Sequence, residues 1–172
     1  MKDDFEIFKD LFKKNKLDEE IINLEEDEKE KFVCFKLDEQ EYGIDVSFVL
    51  EVITEFEITD VIHTPSFILG VINLRGNIVP VIDLKQFFLI NDKPTKFDTL
   101  VIVKFADKVC ALAIDKIEDL KELNFSEIAS LPVTISGKIA NYLSGLFNYK
   151  NEPVMIINIE NILTSDEFKE FE

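Results

Sequence analysis

The side chains that could carry out a reaction are few in this chain and lie far apart. His63 is the sole histidine, and it stands directly before Thr64-Pro65. Nucleophilic catalysis needs a nucleophile, a base and a group that orients the base, and no serine or cysteine motif nominates such a set. His63 is therefore expected in a loop. Cys34 and Cys110 sit in apolar, strand-like runs without metal-ligand spacing, so they read as core thiols of a protein kept in a reducing compartment. Five glycines leave no Gly-rich phosphate loop. Asp45 and Asp83 are the one conceivable acid pair, which would require close approach in a cleft and a raised pKa. Yet Asp45 and Asp115 end matched Ile-Asp stretches, and Asn158 replaces Asp83 in a second, similar stretch. Asn can cap a turn as Asp does, but it cannot act as a general acid. The expectation is no enzyme, with no catalytic, cofactor-binding or metal-ligating residue and no cofactor.

Two charged residues point to recognition instead. Arg75 is the only arginine of the chain, and a guanidinium offers a planar fork of donors suited to protein interfaces. Glu51 interrupts the apolar run SFVLEVI. An unpaired carboxylate is too costly to bury, so Glu51 must face solvent, pair or meet a partner. A local partner for Arg75 would be Glu51 or Asp45.

The element that must position Arg75 is the stretch Gly70 to Leu84, GVINLRGNIVPVIDL. Val and Ile crowd Val71–Leu74 and Ile78–Leu84, which favours strands. Gly76 and Asn77 tolerate the positive φ that tight hairpins require. The reading is an antiparallel hairpin with Arg75 at its tip. Pro80 has no N–H for a ladder and is expected at a sheet edge or bulge.

Around this hairpin the chain divides in three. Residues 1–31 form an N-terminal extension. Within it 2–17 read as an amphipathic helix carrying Phe5, Phe8, Leu11 and Phe12 on one face, followed by an acidic linker. Residues 32–168 form the main domain, and 169–172 an acidic tail. Net charge is −16, which disfavours nucleic acid phosphate and anionic bilayers as partners. No apolar run reaches the roughly 18–20 residues that span a bilayer, and the N-terminus lacks the apolar core of a secretory signal. The expected location is the cytoplasm.

The main domain repeats itself. GVINLRGNIVPVIDLKQFF aligns without a gap on GLFNYKNEPVMIINIENIL, Gly70 falling on Gly145 and Arg75 on Lys150. LVIVKF at 100–105 echoes FVCFKL at 32–37, and ALAID at 111–115 echoes EYGID at 41–45. An internal duplication accounts for this. Each half holds four to five short strands, the pattern of a small closed barrel, and the barrels are expected at about 32–90 and 98–163.

From Phe32 to Phe168 the sequence resembles the CheW-type chemotaxis coupling proteins. The resemblance rests on EYGID at 41–45, VLEV at 49–52, TPSFILGVINLRGNIVPVIDL at 64–84 and VMIINIENIL at 154–163. It implies a mainly β fold of two five-stranded SH3-like barrels around a shared hydrophobic core, with short helices. It also implies a non-catalytic adaptor that links methyl-accepting chemoreceptors to the CheA histidine kinase at membrane-associated receptor arrays. Carried onto this chain, the kinase's regulatory domain would contact Val49, Glu51, Val52 and Gly70. The cytoplasmic tip of the receptor would contact Arg75, Gly76, Asn77 and Ile72. A different class of binder, a small β-barrel peptide-binding module of another signalling complex, would instead use an aromatic groove of Tyr42, Phe48 or Phe67.

Overall fold

The computed structural model describes residues 29–90, 93 and 96–170; the expected helix over 2–17 lies outside them. Among the described residues ten strands run in chain order: β1 Lys29–Leu37, β2 Gln40–Asp45, β3 Val49–Ile53, β4 Ile68–Leu74, β5 Asn77–Asp83, β6 Thr99–Phe105, β7 Lys108–Ile114, β8 Ile117–Asn124, β9 Leu143–Tyr149 and β10 Glu152–Ile157. Three short helices follow two of the hairpins: α1 Leu84–Phe87, α2 Ile159–Thr164 and α3 Asp166–Lys169. Asp83 accepts from the N–H groups of Lys85 and Gln86 to cap α1, and Asn158 accepts from Asn161 N–H to cap α2. Asp45 accepts from Ser47 N–H at the 3-10 turn Val46–Phe48. Asp45, Asp83 and Asn158 are caps, as their types suggest; Asp115, expected to cap in the same way, lies in the bend after β7 and caps no helix.

The strands form two five-stranded sheets, ordered β8-β1-β2-β10-β9 and β3-β6-β7-β5-β4. In each sheet side chains reach from one outer strand to the other, and a backbone segment, at Thr59 or Ala129, bonds to the edge of β4 or β9. Arg75, at the tip of the β4–β5 hairpin, pairs with Glu51 of β3, and Lys121 of β8 lies over the Tyr149 ring of β9. They are called here the Arg75 barrel and the Lys121 barrel.

The sheets do not divide the chain as the repeat suggests. Halves at 32–90 and 98–163 would put β1–β5 in one barrel and β6–β10 in the other. Instead β1 and β2 join β8, β9 and β10, while β3, β4 and β5 join β6 and β7. The chain changes barrel after β2 and again after β7. Strand β1 also starts earlier than the expected boundary at Phe32, because Lys29, Glu30 and Lys31 pair with Asn124, Leu123 and Glu122 of β8.

The duplication nonetheless holds down to irregularities. β4 and β5 map onto β9 and β10 at a spacing of 75 positions, and in each hairpin the register shifts at the same place, between Ile68 and Gly70 and between Leu143 and Gly145. β1, β2 and β3 map onto β6, β7 and β8 at 68 positions, again with a shared bulge. This spacing sets Gly43 opposite Ala111 in the repeat, two positions from the EYGID–ALAID alignment read off the sequence.

Alternation along the strands explains their unbroken apolar runs. Phe32 and Cys34 point into the Lys121 barrel with Phe147, Val154 and Ile156. Leu100 and Ile102 point into the Arg75 barrel with Ile72, Val79 and Val81. The intervening Val33, Phe35, Val101 and Val103 join a larger cluster with Ile44, Phe67, Phe87, Leu112 and Ile162. FVCF and LVIV are thus buried on both faces, and the larger cluster is the layer that the barrels share. In it Phe87 meets Phe67 edge-on at 5.1 Å and Tyr142 at 4.8 Å, a geometry that adds to simple burial.

Pro80 is not at an edge, since β5 lies between β7 and β4. Its partner Val71 turns both backbone groups the other way, accepting from and donating to Thr59 at 2.8 and 2.9 Å. Pairing with β7 begins only at Val81. The missing N–H of Pro80 therefore interrupts no ladder.

Candidate functional site

The β4–β5 hairpin turns through Arg75 at φ 50° and Gly76 at φ 87°. Two central residues of positive φ make a type I′ turn, whose twist suits a hairpin. The sequence reading assigned the positive φ to Gly76 and Asn77; Asn77 is instead the first residue of β5. Arg75 is held in the left-handed region, which costs a non-glycine residue of order 1 kcal/mol. Asn73 helps to hold it there, its Oδ1 accepting the Gly76 N–H at 2.8 Å.

From this tip the guanidinium reaches Glu51. Arg75 Nη1 donates to Oε1 at 2.9 Å and Nη2 to Oε2 at 2.8 Å. Two parallel charge-assisted bonds of this kind fix orientation as well as distance. The Arg75 side chain is 77% exposed and that of Glu51 23%, so the fork lies on the surface and spans the barrel seam. The two residues assigned to different partners thus form a single unit.

Four other assigned residues cannot offer side chains to a partner. Val49, Val52 and Ile72 are 1%, 5% and 3% exposed. Their strand positions turn them into the shared core or the barrel interior. Gly70 is also buried, at φ +141°, where an added Cβ would stand 2.4 Å from Thr59 O. These residues shape β3 and β4 from within. Gly76 and Asn77 are exposed beside the fork. Sequence reasoning passed over Leu50 and Ile78, which are 41% and 66% exposed. Leu50 occupies the β3 bulge, between the paired residues Val49 and Glu51, and a bulge re-aims side chains. That shift of register has no mark in an apolar run.

The candidate acid pair is not an active site: Asp45 is committed to its turn, and Asp83 is buried as a helix cap. Burial pushes the Cys34 thiol up to about 12 and raises Cys110 further, so neither is a nucleophile near neutral pH. Tyr42 and Phe67, two of the three rings of the alternative peptide groove, are buried in the shared core and Phe48 packs against it. His63 is exposed in the loop before β4. Among the described residues, no group of His, Cys, Asp and Glu could hold a metal ion, and no helix is long and apolar enough to cross a membrane.

Comparison with known proteins matches this architecture. The family model described as a CheW-like domain covers residues 31–167. A chemotaxis protein CheW of Klebsiella aerogenes is 34% identical over 139 residues, 80% of this chain and 84% of that protein. One from Helicobacter pylori is 31% identical over 161 residues, 92% and 96% of the two chains. The crystal structure of the scaffolding protein TtCheW from Thermoanaerobacter tengcongensis superposes with a TM-score of 0.73 at 30% identity, covering 81% of this chain and 96% of that one. The twin barrels, their duplicated hairpins and these matches together establish that the chain belongs to the CheW family of chemotaxis scaffold proteins.

Proposed function

We propose that this protein couples chemoreceptors to a CheA-type histidine kinase without catalysing a reaction itself. It would hold the regulatory domain of the kinase and the cytoplasmic tip of a methyl-accepting receptor in fixed relation, at receptor arrays on the cytoplasmic face of the membrane. The observation that carries this reading is the exposed Arg75–Glu51 fork at the seam of one barrel. It presents two oriented charges beside Gly76, Asn77 and the exposed apolar side chains of Leu50 and Ile78. An oriented arginine with exposed apolar side chains on the same strands suits a protein interface, where arginine is enriched. Val49, Val52, Gly70 and Ile72 serve both contacts indirectly, by setting the path of the strands that carry the fork. Each contact can be modest, since linked contacts in an array raise effective concentration.

The test is co-purification with the kinase's regulatory domain and, separately, with a receptor cytoplasmic fragment, followed by reconstituted kinase activation. Arg75→Ala should reduce receptor-dependent activation at least tenfold while the fold is retained. Full activation by that variant would refute the assignment of the fork to receptor coupling.

A further inference from the structure

The exchange of strands between the repeats raises a question of specificity. The repeats are alike enough that a second arrangement is conceivable, with β1–β5 closing one barrel and β6–β10 the other. The third strand of each repeat, β3 or β8, would then pair within its own half. Equivalent positions show what separates the two arrangements. Lys121 of β8 pairs across from Phe32, and Ile53 of β3 pairs across from Leu100, so Lys121 and Ile53 are repeat equivalents. By the same spacing Glu41 of β2 is equivalent to Val109 of β7. One barrel thus holds Lys121 and Glu41 where the other holds Ile53 and Val109, and the latter two pack against that barrel's apolar interior.

Inside the Lys121 barrel the two charges are well matched. Lys121 Nζ donates to Glu41 Oε1 at 2.7 Å, with side chains 5% and 12% exposed. The ammonium also lies 3.6 Å from the centroid of the Tyr149 ring and 6.0 Å from that of Phe147. Glu41 comes from the first repeat and Lys121 from the second, so only the exchanged arrangement brings them together. In the unexchanged one Glu41 would share a barrel with Ile53, and Lys121 would share one with Val109. Each would be a buried charge without its counter-ion, which is strongly unfavourable.

We infer that the buried Glu41–Lys121 pair is a topology lock: it selects the strand-exchanged pairing of the two repeats over the unexchanged one. A buried polar contact that discriminates between near-equivalent pairings has its best-attested counterpart in the register control of coiled coils. Either arrangement keeps β3, with Glu51, in the same barrel as the Arg75 hairpin; what exchange decides is which strands complete that barrel. Without it, β3 would close a barrel with β4 and β5 still present but with β1 and β2 in place of β6 and β7, and the core between the barrels would be rebuilt.

The experiment uses the full chain and reads cross-strand nuclear Overhauser contacts and the number of amide peak sets. The native protein should show Phe32–Lys121 and Leu100–Ile53 contacts in one set. Glu41→Val and Lys121→Ile singly should each lower the melting temperature more than the two combined. The combined variant, E41V/K121I, carries the residues of the Arg75 barrel in both barrels. It should show a second peak set with contacts between Phe32 and Ile53. One peak set with only the native contacts would overturn the proposal. If the combined variant does not fold, the decisive chain is E41V/K121I/I53K/V109E, which moves the pair to the other barrel and again spans the exchange. It should fold with a single set of exchanged contacts; failure to do so overturns the proposal too.

Discussion

In the Lys121 barrel the outer strands are bridged by an ammonium group sealed from water, 2.7 Å from a carboxylate and 3.6 Å from an aromatic ring. In the Arg75 barrel they are bridged by a guanidinium and a carboxylate at the surface, with the arginine side chain 77% exposed. The repeat equivalent of Arg75 is Lys150, whose Nζ lies 5.1 Å from the Tyr149 centroid. The equivalent of Glu51 is Asp119, which accepts the N–H of Leu120. The same scaffold thus keeps one charged seam inside and one outside. The inner pair acts on the fold, because a buried charge that loses its partner has no water to replace it. The outer pair has little effect on stability, since water and salt compete with it, which is compatible with the recognition role proposed for it.

The comparison is most exposed to failure at the inner seam. Glu41→Ala strands Lys121 in the barrel and should cost about 3–5 kcal/mol, the range for breaking a buried pair from one side. Glu51→Ala at the outer seam should cost less than about 1 kcal/mol. Urea unfolding of both variants measures the difference. Equal losses would mean that the seams are not distinct in kind.

A smaller contrast separates the two glycines that begin the repeated hairpins. At Gly70 a Cβ would stand 2.4 Å from Thr59 O and 2.6 Å from Ile58 Cγ2, on a backbone of φ +141°. At Gly145 the nearest atom is Ala129 O at 2.8 Å, and Ile128 Cγ2 is at 3.3 Å. Gly70→Ala combines strained backbone with overpacking and should cost about 2–4 kcal/mol. Gly145→Ala meets crowding alone and should cost about 1–3 kcal/mol. Both glycines let a backbone segment, at Thr59 or Ala129, bond to the next residue of the strand and cover its edge. Thermal unfolding should rank Gly70→Ala below Gly145→Ala; the reverse order would separate crowding from strain as the cause.

Much of this was legible in the chain, and the rest was hidden for physical reasons. The hairpin at Arg75 and its copy at Lys150 declare themselves through β-branched runs around a two-residue turn, and the structure keeps their spacing residue for residue. The Asp83 and Asn158 caps follow from residue type. Strand β8 was passed over because IEDLKELN carries charges at alternate or adjacent positions and no apolar run, and its one fully buried member is Lys121. The strand exchange is invisible for a related reason. Local pattern specifies strands but not their partners, and the residue that separates the two arrangements looks like any surface lysine until Glu41 is found beside it. The Glu51–Arg75 contact was among the local pairings considered. What the sequence could not show is that this pairing and an exposed site are compatible, because exposure depends on the curl of the sheet.

The outer seam allows the finest test, because exchanging its charges leaves the ion pair formally intact. Glu51→Arg combined with Arg75→Glu can rebuild a carboxylate–guanidinium contact across β3 and the hairpin tip. Stability should change by no more than about 1 kcal/mol, as befits an exposed pair. Each single variant places like charges at the seam, and should lose a comparable small amount that grows as salt is lowered. The binding readout separates the two roles. If the fork serves only to close the barrel, the exchanged pair restores receptor and kinase binding along with the seam. If it is a recognition element, the partner meets a carboxylate where it needs a guanidinium, and binding stays lost in a protein that melts at the native temperature. The second outcome is expected, because a partner reads the sign and the planar geometry of the exposed group, whereas the seam needs only opposite charges within reach.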